Sequence, residues 1–199
     1  MNIYPKSYMR VCRRSAILMV SLLPVACSGA VTTQFVQYDA SGVPELFRYG
    51  AVDRDFRTVI HGNPSAGTTE AFQTAVIDAM QGHTWGRRTN FTTTPSENAR
   101  DGYRVVMVFS GEHHIGGRVV CQNPDPGTLA LVTSQVHLQA AFCFEERVLS
   151  QVQVSFKSFS SLQNPVLGEA VSQAVLHLFP LRDPSRQADP SDHDIVVPP

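Results

Sequence analysis

The chain has 199 residues, 16 basic and 17 acidic, and a hydrophobic share of 43% that suits a packed domain without metal or many staples. Residues 1–26 hold Lys6, Arg10, Arg13 and Arg14 and no acid, so residues 27–199 keep 12 basic side chains against 17 acidic ones, a net charge of −5. That balance, with Lys157 the only lysine left and the arginines scattered, argues against a nucleic-acid partner and against a polybasic membrane patch.

The chain begins with a basic start at residues 10–14, an apolar run of 12 residues from Ser15 to Ala26, and small residues at the end of the run. This is the pattern of a secretory signal peptide, and the run is shorter than the roughly 20 residues a spanning helix needs. Leu23-Pro-Val-Ala-Cys27 resembles the lipobox of bacterial lipoproteins, although Pro24 stands where that motif usually has Leu. The resemblance implies cleavage before Cys27, lipidation of Cys27, and, with Ser28 beside it, retention at the outer membrane on its periplasmic face. Three acyl chains would hold the protein firmly, at about 0.8 kcal/mol per buried methylene. Cleavage after Ala30 fits the small-x-small rule as well and would discard Cys27.

Two cysteines then remain, Cys121 and Cys143. In an exported chain an isolated pair reads as a disulfide, and closing that loop would add about 3 kcal/mol. Residues 27–52, with Gly42-Val-Pro44 inside them, read as a tether from which Phe35, Phe47 and Tyr49 can dock on the body.

The β-branched density of residues 55–60 predicts a strand, which stops at the turn His61-Gly-Asn-Pro64. Phe72, Ala75, Val76, Ala79 and Met80 mark one face of a helix, with Thr68 or Thr69 as N-cap and Gly82 as the stop. His83-Thr-Trp-Gly-Arg-Arg88 comes next, as a loop that holds the only Trp, and residues 89–94 are extended. Tyr103-Arg-Val-Val-Met-Val-Phe109 is apolar on both faces and predicts an inner strand. It runs into a glycine-rich loop containing Glu112, His113 and His114.

Residues 136–156 predict an antiparallel hairpin. Val136, Leu138, Ala140, Phe142 and Phe144 face inward, as do Val148, Val152, Val154 and Phe156 if Phe144 pairs with Val148 across a three-residue loop. Cys143 then lies on the opposite, polar face, so a bond to Cys121 would tie the segment before residue 122 over that face. Asn164 and Pro165 open a last helix whose stripe is Leu167, Val171, Ala174, Val175 and Leu178, and Pro180 ends it. Residues 181–199 have little to bury and are expected to be disordered.

The expected fold is therefore α+β. It is a two-layer sandwich with a mostly antiparallel sheet of about four strands and two amphipathic helices on one face, in a single domain of residues 53–180.

No nucleophile elbow, phosphate loop or dinucleotide fingerprint occurs, and no metal or cofactor is expected. The expected function is a non-catalytic envelope lipoprotein, an accessory or binding subunit whose partner is an envelope protein or cell-wall component. Its candidate binding residues are His61, Asn63, Trp85, Arg87 and Arg88, together with the polar face of the hairpin. Two alternatives differ in kind: an exported hydrolase using the Glu112-His113-His114 loop, in which Ser110, His113 and either Asp101 or Glu112 could be drawn as a triad, or a carrier of a lipid or small ligand.

Overall fold

The structure is a computed structural model that describes residues 31–39, 42–84, 88–110, 117–122 and 134–180. The leader with Cys27, the loop residues Trp85 and Arg87, the Glu112-His113-His114 segment and the tail 181–199 lie outside the described residues.

Ten elements succeed one another: β1 (Thr32–Tyr38), α1 (Val43–Ala51), β2 (Asp55–His61), α2 (Thr69–Met80), β3 (Asn90–Thr92), β4 (Tyr103–Ser110), α3 (Gly117–Gln122), β5 (Gln135–Phe144), β6 (Arg147–Lys157) and α4 (Pro165–Leu178). The strands form one six-stranded sheet in the order β1-β6-β5-β4-β2-β3. The β1/β6, β6/β5 and β5/β4 pairs are antiparallel, while β4/β2 and β2/β3 are parallel. The α+β class holds. The sheet is mixed and has six strands where the sequence predicts about four. Residues Thr32–Tyr38 add β1 along β6, and the chain returns after β2 and again after β3, so that β3 and β4 run parallel to β2 on either side.

The principal helices form for local reasons. Thr68 accepts the Ala71 N–H at 3.2 Å and caps α2, and Asn164 accepts the Val166 N–H at 3.0 Å with Pro165 in the first turn of α4. Phe72, Val76 and Met80 of α2 and Leu167, Val171, Ala174, Val175 and Leu178 of α4 are buried on one face of the sheet. Val136, Leu138, Ala140 and Phe142 of β5 meet them there, as the alternation predicts.

Residues 32–51 are not a tether. β1 pairs along β6 from Thr32 opposite Ser155 to Tyr38 opposite Ser150. α1 buries Val43, Phe47 and Ala51, and the Phe47 ring stacks on Phe179 with centroids 4.1 Å apart. Gly42-Val-Pro44 reads as a breaker in the sequence. A proline in the first helical turn costs nothing, however, because the N–H it lacks has no acceptor there anyway.

The hairpin turn also differs from expectation. Phe144 pairs with Arg147 across the two residues Glu145 and Glu146, and Glu145 takes a left-handed φ of 52°. A bulge then absorbs one residue, since Cys143 faces Val148 but Phe142 faces Ser150. The bulge puts Leu149 in the main core and Val148 on the other face, the reverse of the predicted assignment.

That second face is covered as well. Val120 and Cys121 of α3 pack over Val106, Val108, Ala141 and Val148. Cys121 is disulfide-bonded to Cys143 with the Cα atoms 5.8 Å apart. The Arg104 guanidinium donates to the Cys121 carbonyl at 2.6 Å. The middle of the polar hairpin face is thus covered, with Gln139, Ala141 and Gln151 buried, while His137, Gln153 and Ser155 are half-buried.

Candidate functional site

The parallel and antiparallel pairings bring the starts of β2, β3 and β4 and the β5–β6 turn to one end of the sheet. At that end a cleft opens beside the C-terminal end of α2. It has a volume of about 760 Å³, and Asp53, Arg54, Arg88, Thr89, Asn90 and Asn98 line it.

Asp55 organises its floor. One carboxylate oxygen accepts from the Asn90 amide at 2.6 Å, and the other accepts from the Ser96 N–H at 2.9 Å and its hydroxyl at 2.7 Å. The Asp55 N–H in turn donates to the Asn98 side chain at 2.9 Å. These bonds tie the start of β2 to the start of β3 and to the loop that carries Ser96 and Asn98. The donated hydrogen bonds, with Asn90 foremost, hold the Asp55 carboxyl below its usual range. An anion so saturated is a weak proton acceptor at neutral pH, so Asp55 is suited to shaping the cleft and not to general-base chemistry.

The rim is built from backbone geometry. Asp53 adopts a left-handed φ of 56°, a conformation Asp tolerates better than most side chains, and its N–H donates to the Arg88 carbonyl at 2.9 Å. The Arg54 Nε donates to the Val52 carbonyl at 3.3 Å. Gln81, at the end of α2, uses both halves of its amide on Phe91: its Nε2 donates to the carbonyl at 2.8 Å and its Oε1 accepts from the N–H at 3.3 Å. The Thr89 hydroxyl oxygen is shielded from solvent and has no hydrogen-bond partner among the described residues. Two guanidinium groups, two carboxylates and several amides give a mixed polar lining with no excess of either charge.

Next to this cleft, at the same end, the Arg100 guanidinium sits 4.8 Å from the centre of the exposed Tyr49 ring. Tyr49 leans edge-on against Tyr103. Burial first, then the neighbouring Tyr49, raises the Tyr103 phenol above its ordinary value, partly offset by Arg100.

The sequence-predicted residues do not gather in one place. Arg88 is exposed at the cleft. His61 ends β2 at the far end of the sheet, and Asn63 organises the turn there. Its amide donates to the Gly67 carbonyl at 2.9 Å and its oxygen accepts from the Ser65 N–H at 2.9 Å and hydroxyl at 2.6 Å. A seven-residue strand separates the two sets, so His61, Asn63 and Arg88 form no common site.

Glu112 and His113 of the alternative triad lie outside the described residues, and Asp101 is far from Ser110. Asp101 precedes β4 and Ser110 ends it, so the seven steps of that strand, about 23 Å at a rise of about 3.3 Å per residue, lie between them. Ser110 is buried and its hydroxyl donates toward the His137 carbonyl at 3.5 Å. A serine–histidine contact does exist elsewhere, His137 Nδ1 to Ser155 Oγ at 2.8 Å, but these residues are direct partners across β5 and β6. Opposite residues on paired strands meet in this way without any catalytic purpose.

The residues that build the cleft, Asp55, Gln81, Asn90, Ser96 and Asn98, carry no motif that marks them in the sequence. Their only local signal is Asp or Asn at the first position of a strand, which turn chemistry alone also produces.

No family model matches the sequence, and no curated protein matches it. Among solved structures, the PelC dodecamer from Paraburkholderia phytofirmans is similar, at 13% identity and a TM-score of 0.37, covering 78% of this chain and 99% of that one. A point variant of the same dodecamer gives 12% identity and a TM-score of 0.39, covering 75% and 98%.

Proposed function

We propose that the chain is exported, carries lipid on Cys27, and serves at the periplasmic face of the outer membrane as a non-catalytic binding or accessory subunit for an envelope protein or wall component. One observation carries the reading. The two cysteines that remain after the leader form a disulfide inside the fold, with both side chains fully buried. Such bonds form and persist in oxidising compartments, where the basic and apolar leader would send the chain.

The cleft beside α2 is the surface this role would use, because its arginines and amides bind without supplying a proton acceptor poised near neutral pH. The intact mass of the mature protein from its native membrane tests the proposal. The expected mass begins at acylated Cys27 and lacks the two hydrogens of one disulfide. A mass beginning at unmodified Val31 would remove the anchor, and one beginning at Met1 would remove export altogether.

A further inference from the structure

The two edges of the sheet are finished differently. At β3 the edge is only three residues long, and the Phe91 N–H and carbonyl that point away from β2 are both taken by the Gln81 side chain. No strand can add there without displacing that amide. β1, at the other edge, is seven residues long and reads Thr-Thr-Gln-Phe-Val-Gln-Tyr. It contains no charged residue, proline or glycine, the usual means of blocking an edge. Thr32, Gln34, Val36 and Gln37 are exposed, and no described strand or helix covers its outer side. Every second N–H and carbonyl of an edge strand points outward, and what satisfies such a row in register is another extended strand.

We infer that β1 is the docking edge for a second copy of this chain, laid antiparallel to it about a two-fold axis. The asymmetry of the edges selects this occupant. Head-to-tail addition of β1 to β3 would build an open filament, and Gln81 prevents it. β1 on β1 is an isologous contact that closes at two copies. The strand is also compatible with itself, since an uncharged sequence places no like charges opposite one another.

Over Thr32–Phe35 the strand keeps continuous register with β6, and the irregularity between Phe35 and Gln37 limits pairing beyond it. A two-fold passing beside the exposed Gln34 sets that residue against its own copy and pairs Thr33 with Phe35 inside the regular stretch. A primary amide carries both donor and acceptor, so two of them can bond reciprocally across the axis. The inference does not depend on lipidation or on the cleft.

Sedimentation of the mature protein in mild detergent, with circular dichroism as the fold check, tests it. The wild type is expected at twice the chain mass. Gln34→Lys, which sets two ammonium groups face to face, is expected at the single-chain mass with an unchanged spectrum, and so is Gln34→Glu. Mixing the two variants should restore the double mass as a heterodimer. A wild type that stays at single-chain mass at high micromolar concentration would overturn the inference. So would Gln34→Lys that remains a dimer, or a mixture of the two charge variants that fails to pair.

Discussion

The two faces of the sheet are held in opposite ways. On the first, α1, α2 and α4 bury a continuous core in which Phe56 lies within ring contact of Phe47, Phe91, Phe142 and Phe179. On the second, the six-residue α3 covers a small aliphatic cluster of Val106, Val108, Ala141 and Val148, and a disulfide fixes it there. Hydrophobic stabilisation scales with the apolar area removed from water, so the broad face supports itself. A six-residue helix is far too short to persist alone and buries little, so the narrow face depends on a covalent tie. A fold can therefore close both faces of a sheet with unequal amounts of structure, provided the smaller cover is cross-linked.

The sharpest way to break this contrast is to damage the broad face. Phe56 is 1% exposed and sits at the centre of the aromatic cluster. Phe56→Ala is expected to cost about 3–5 kcal/mol of global stability, measured by denaturant unfolding, since the cavity adds to the lost transfer energy. Replacing both Cys121 and Cys143 by Ala should cost less, about 3 kcal/mol for the loop that the bond closes. Its effect should also be local. In hydrogen exchange, the amides of α3 should lose protection beyond the global loss, while those of α2 and α4 should lose no more than that loss. Equal loss of protection on both faces would show that the second face is not a separately stapled layer.

Legibility in the sequence divides along the same line. The broad face is legible because Phe72 to Met80 and Leu167 to Leu178 repeat at helical spacing, and β5 alternates cleanly. Parity alone gives the side of the sheet that Cys143 occupies. β1 is not legible, because an edge strand with polar residues on its open side resembles a linker, and α1 is hidden by Pro44. The bulge at Val148 and Leu149 moves two side chains between faces, which no alternation rule can foresee once a single residue is inserted. The cleft is illegible for a different reason. Asp55, Asn90, Ser96 and Asn98 lie up to 43 positions apart and meet only after β2 and β3 pair.

A smaller effect is expected at the β3 edge. Gln81→Ala removes two side-chain bonds to the Phe91 backbone, which should cost about 1–2 kcal/mol in thermal or denaturant unfolding. The β3 amides should lose protection beyond that global loss, while those of β5 and β6 should lose no more than it. Gln81→Glu separates the two bonds, since it keeps an acceptor for the Phe91 N–H but has no donor for its carbonyl. An intermediate stability is the expected outcome.

The smallest change belongs to Asp55, and its signature is the pH dependence. Its carboxyl is held below the ordinary value in the folded protein by the bonds from Asn90 and Ser96, whereas the unfolded chain titrates near pH 3.9. The folded state therefore binds this proton less readily than the unfolded state. The resulting stabilisation is fully present above the unfolded value and is lost as pH falls through the folded one. Asp55→Asn removes the titration and leaves the amide with one donor group facing the donors of Asn90 or Ser96. Unfolding measured from pH 6 down to pH 2 should show the wild type losing its advantage over Asp55→Asn below about pH 4, the two curves converging in acid. Parallel curves across that range would mean that the carboxylate is not what ties β2 to β3, and that the cleft floor is held by the backbone pairing of Asp55 with Asn90 alone.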